Sequence, residues 1–73
     1  MMRRSGKLMF AERLDYLDCI IRNLSEDGAT VQLKRVCALP DQILLREDAT
    51  HSAHVCKVRW QRGRRVGLRF VCG

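Results

Sequence analysis

The sequence lacks any apolar run approaching the ~18 residues that cross a bilayer as a helix, and Met1-Met2-Arg3-Arg4 leads only into a short semi-apolar patch. That patch is too short for the core of a secretory signal, so the chain is expected to be cytoplasmic and not membrane-spanning. No Cys-x-x-Cys pair occurs among Cys19, Cys37, Cys56 and Cys72, and no histidine stands at ligand spacing from them. Such spacing argues against a zinc site and for reduced thiols, with Cys19, Cys56 and Cys72 in phase with apolar neighbours. No Ser or Cys nucleophile has a base and an orienting acid at recognisable spacing. An enzyme is therefore not expected, and His51 and His54 read as solvated loop residues. Neither internal repeats nor low-complexity segments are present. Pro40 is the single proline, and the aromatics number four, of which Phe10, Trp60 and Phe70 fall in the inward phase of their segments.

Seventy-three residues make one domain at most, and a chain of this size buries only about 60% of its unfolded surface. A deep catalytic cleft is not expected at this size. With 47% hydrophobic residues the chain is too apolar for a disordered tail. Fourteen Lys and Arg against eight Asp and Glu give a net charge of +6. Eleven of the cations are Arg, whose planar fork of donors suits phosphates and guanine edges. An anionic partner follows as a first expectation.

Period-two alternation accounts for most of the chain. Leu17, Cys19 and Ile21 alternate with Asp18, Ile20 and Arg22; Ala29, Val31 and Leu33 alternate with Thr30, Gln32 and Lys34. Between these strands lies the polar corner Asn23-Leu24-Ser25-Glu26-Asp27-Gly28. There the short polar side chains can bond their own backbone, and Gly28 is expected at positive φ. Gln42–Arg46 forms another strand, Glu47 to Ser52 a polar connection, and Cys56-Val58-Trp60 and Val66-Leu68-Phe70 a closing hairpin turned by Gln61–Arg64. Leu8-Met9-Phe10 starts a first strand, residues 11–14 form a loop, and residues 1–7 read as a mobile basic lead-in. About six short strands without a helix describe an all-β barrel or sandwich.

Two stretches resemble the PilZ domain family of bacterial cyclic di-GMP receptors. Asn23-Leu24-Ser25-Glu26-Asp27-Gly28 fits the family's Asp/Asn-x-Ser-x-x-Gly motif, and Cys56 to Phe70 is similar to its closing hairpin, with a Trp, a turn Gly and a Gly-x-x-Phe ending. Leu39-Pro40 before a strand also matches. The resemblance implies a single domain over residues 1–73, a small six-stranded antiparallel split barrel, here without the family's C-terminal helix because the chain stops three residues after Phe70. It further implies a cytoplasmic signalling receptor that binds cyclic di-GMP as its ligand, needs no cofactor and relays the signal to a protein partner; the missing apolar run leaves no membrane partner expected, and aromatics in the inward phase argue against nucleic acid.

The family grips the ligand with an Arg-x-x-x-Arg segment ahead of the first strand. Here the matching segment is Arg3-Arg4-Ser5-Gly6-Lys7, and Lys supplies charge without the planar fork. The resemblance thus points to Arg3, Arg4 and Lys7 for charge, Asn23 and Ser25 for a guanine edge, and Gly28 for backbone shape. The incomplete arginine pair also suits an adaptor that no longer binds the dinucleotide. A basic nucleic-acid-binding barrel would draw instead on Arg59, Arg62, Arg64, Arg65 and Arg69.

Overall fold

The computed structural model describes residues 4–10 and 15–71. Six strands follow one another: β1 (Arg4–Met9), β2 (Tyr16–Leu24), β3 (Gly28–Leu33), β4 (Gln42–Glu47), β5 (Ala53–Arg62) and β6 (Arg65–Phe70). All pairings are antiparallel and close into a barrel in the order β1-β2-β3-β6-β5-β4. Closure leaves no open sheet edge, which is how a small all-β chain satisfies its backbone groups without a covering helix. No helix occurs among the described residues. The alternation seen in the sequence becomes the inside and outside of the barrel. Leu8, Cys19, Ile21, Val31, Leu33, Ile43, Leu45, Cys56, Val66 and Leu68 are buried in one cluster. Gly63, at φ +56°, turns the two-residue link between β5 and β6, as the left-handed geometry of such hairpin turns favours.

Residues 4–7 correct the expectation of a mobile lead-in. They belong to β1, paired to β2 from Arg4 opposite Ile21 and to β4 from Gly6 opposite Glu47. Alternation was hidden there because the residues in phase with the buried Leu8 are Gly6 and the exposed Arg4. Gly6 lets the Arg46 carbonyl approach, and Arg4 finds a carboxylate. That carboxylate is Glu47, expected in a polar connection but found as the buried last residue of β4. Its Oε1 accepts from Arg4 Nη1 at 3.2 Å, and Oε2 accepts from Thr50 Oγ1 at 3.3 Å. Pairing with both a cation and a hydroxyl is what makes burial of the carboxylate tolerable. His54 likewise departs from the solvated-loop reading: it lies in β5, half-buried, stacked on Phe70 at 4.5 Å between centroids. His51 does stay in the exposed β4–β5 turn, at φ 60°, with Nδ1 3.1 Å from Arg46 Nη2. The loop expected over 11–14 and the inward placement of Cys72 lie outside the described residues.

Burial pushes the Cys19 thiol up to about 12 and the Cys56 thiol up to about 11. Unfolded, both titrate near 9.0, so the unfolded chain loses these protons first as pH rises. The fold is then expected to weaken from about pH 9 upward, by at most about 1.4 kcal/mol per thiol and pH unit, until each folded thiol ionises. Denaturant melts at pH 8 and pH 10 check this, with Cys56→Ala expected to show a shallower decline. An unchanged slope in that variant assigns the alkaline loss to other groups.

Candidate functional site

The polar corner between β2 and β3 is tied by its own motif. Ser25 donates twice to the Gly28 carbonyl, from its backbone N–H at 2.9 Å and from Oγ at 3.2 Å. The Asp27 carbonyl accepts from Phe70 N–H at 2.8 Å, which fastens the corner to the end of β6. Gly28 is not at positive φ, contrary to the expectation: Gly63 is the glycine in that region among the described residues. Its requirement is proximity. Gly28 stands opposite Arg69, and a Cβ there would run into the Leu68 carbonyl oxygen. The motif glycine therefore allows β3 and β6 to close where the corner begins.

Two irregularities decide what lies beside the corner. The β2–β3 register shifts between Ile21 and Asn23, and the β5–β6 register shifts between Val58 and Trp60. Each bulge inserts one residue and reverses the inside–outside phase beyond it. Asn23, which simple alternation from Ile21 would send inward, is exposed, and so is Trp60 at 41%. The inward placement expected for Trp60 is thus corrected by the bulge at Arg59, whereas Phe10 and Phe70 do pack against the core. The shifted registers align Asn23, Thr30, Gly67 and Trp60 in one row across the outer face of β2, β3, β6 and β5. Gly67 has no side chain at the point where the indole lies, and a Cβ there would meet the ring.

The row is the floor of a shallow concavity of about 470 Å³, closed at its sides by Ser25, Asp27, Arg59 and Arg69, a volume in the range of small-ligand sites. Arg59 and Arg69 are exposed, and neither has an ion-pair partner among the described residues. An indole seated on a glycine beside two uncommitted guanidiniums suits a flat aromatic group carrying phosphate: the ring stacks, and the forks take the phosphate oxygens. The Asn23 amide, Thr30 hydroxyl and Asp27 carboxylate add both donors and acceptors for the polar edge of such a ring.

Of the residues that the sequence singled out, Asn23, Ser25 and Gly28 line this concavity. Arg4 and Lys7 do not. Arg4 is held by Glu47, and Lys7 Nζ lies 3.1 Å from Asp48 Oδ1 and 3.8 Å from Asp18 Oδ1, with its ammonium raised by the hydrogen bond to Asp48. Arg3 lies outside the described residues. Sequence reasoning missed Trp60, Gly67, Asp27 and Thr30 as site residues and placed Arg59 and Arg69 only in a nucleic-acid patch. One available signal was the pairing of the only tryptophan with a glycine in the closing hairpin, since a small residue opposite an aromatic ring gives that ring a seat.

The family model for the PilZ domain matches residues 2–72 of the chain. Comparison with curated proteins and with solved structures returns no match.

Proposed function

The chain belongs to the PilZ domain family, and from that premise we propose that it is a cyclic di-GMP receptor whose ligand lies in the concavity of Asn23, Thr30, Gly67 and Trp60. The family is one of ligand-binding and adaptor domains that binds this dinucleotide generally. The observation that carries the reading is the convergence, on one outer face, of the family's Asn-x-Ser-x-x-Gly corner with an indole on a glycine seat and two guanidiniums that have no ion-pair partner among the described residues. One guanine stacks on Trp60, with its polar edge toward Asn23 and Asp27. Arg59 and Arg69 take phosphate oxygens, and the N-terminal Arg3 and Arg4 add charge. Recruiting Arg4 requires its release from Glu47, whereas Lys7 stays with Asp48. Ser25 and Gly28 act through the backbone shape of the corner. Ligand seated there covers the β2–β3 corner and changes the surface offered to a protein partner, which is how the signal is relayed in the cytoplasm.

Calorimetric titration of cyclic di-GMP tests the reading. The wild type is expected to bind, and Arg59→Ala with Arg69→Ala to weaken binding by roughly 100-fold or more, since hydrogen bonds to charged groups contribute about 1.5–3 kcal/mol each. Absence of heat for the wild type at high micromolar ligand replaces the receptor by the adaptor reading, which the engagement of Arg4 and Lys7 by carboxylates would then explain.

A further inference from the structure

A second charged surface lies at the other end of the barrel. β3 runs from Gly28 at the corner to Leu33 at the opposite end, where Lys34, Arg35 and Val36 follow it. The β5–β6 turn stands at that same end, because Leu33 N–H donates to the Arg64 carbonyl at 2.7 Å and the Gln61 side chain donates to the Cys37 carbonyl. These two bonds join loop and turn into one surface bearing Lys34, Arg35, Arg62, Arg64 and Arg65, all exposed. Lys34 reaches Asp18 at 3.8 Å, while the four arginines have no ion pair or side-chain hydrogen bond among the described residues. Val36, next to Arg35 in the chain, is 69% exposed and the most exposed large hydrophobic residue among those described.

We propose that this end of the barrel is an adsorption surface for an anionic lipid bilayer, with the arginines on headgroup phosphates and Val36 entering the headgroup layer. A protein–protein interface also favours arginine, but there it accompanies buried aromatic anchors and lysine is depleted, whereas this surface sets a lysine and four arginines with Val36 as its most exposed apolar residue. Nucleic acid fits less well. The exposed aromatic beside the surface is Tyr16, a single ring in a groove with Lys34 and Arg35, where single-strand binders stack successive bases on several, and the turn is bonded back to β3, so that it cannot enter a duplex groove as a free ribbon. Val36 has no role on a phosphate backbone, but an aliphatic knob beside a cation suits an interface where charge attracts and a short apolar group inserts. The absence of a long apolar run, on which the expectation of no membrane partner rests, bears on spanning and not on adsorption. The proposal is independent of whether the dinucleotide binds.

Co-sedimentation of the full chain with vesicles of phosphatidylglycerol mixed into phosphatidylcholine tests it, with pure phosphatidylcholine vesicles alongside. The wild type is expected to sediment with the anionic vesicles only and to be released by salt. Arg64→Ala with Arg65→Ala should weaken binding about tenfold or more, and Val36→Asp should weaken it at unchanged thermal midpoint. Arg59→Ala with Arg69→Ala removes the same charge elsewhere and should stay within about twofold of the wild type. Equal losses in both double variants reduce the effect to net charge and overturn the proposal. So does failure of the wild type to bind anionic vesicles, or release of bound protein from them by an equal charge of duplex DNA, which would assign the surface to nucleic acid.

Discussion

Gly28→Ala is expected to destabilise the fold by about 3 kcal/mol or more, at the upper end of what overpacking costs. The atom in the way is the Leu68 backbone carbonyl, which cannot rotate aside as a side chain could. Relief would have to come from parting β3 and β6 where Gly28 pairs with Arg69, next to the Phe70–Asp27 hydrogen bond that fastens the corner. For a domain of this size that loss lowers the melting midpoint by more than about 10 °C. Gly63→Ala is the informative comparison. Gly63 is at positive φ with open space around it, so its cost is conformational alone, about 1–2 kcal/mol. Thermal melts should therefore rank Gly28→Ala well below Gly63→Ala. The reverse order would mean that the strands part easily at the corner and that close approach is not what the motif glycine provides.

Trp60→Ala is expected to weaken cyclic di-GMP binding by roughly 5- to 150-fold, the equivalent of about 1–3 kcal/mol for one base stacked on an aromatic ring. Stability should change little by comparison, because the ring is 41% exposed and rests on Gly67 outside the core cluster. Trp60→Phe should recover most of the affinity, since a flat ring on the same seat restores the stack. As the only tryptophan in the chain, Trp60 also reports on the event directly: ligand over the indole should quench its fluorescence along the calorimetric binding curve. Wild-type binding without quenching, together with unchanged affinity in Trp60→Ala, would place the ligand on another face of the barrel.

The strand content was legible in the sequence because a strand's two faces differ by one residue, so burial on one side imprints period two directly. The β2–β3 corner and the β5–β6 hairpin could be read because turn chemistry is local: Ser25 bonds the backbone three residues on, and Gly63 satisfies its own φ. The family motif carried Asn23, Ser25 and Gly28 to the site for the same reason. What stayed hidden depends on which strand lies alongside which. Glu47 reads as a loop residue until closure of the barrel sets Arg4 beside it, and Gly28 reads as a turn glycine until β6 arrives against it. Trp60 had the phase of a core residue; only the shift of β5 against β6 at Arg59 turned it outward onto Gly67, level with Asn23. A bulge is a mismatch between two paired strands, and neither strand records it alone, so the sequence determined the barrel and the corner while the pairing of distant strands decided which face became the site.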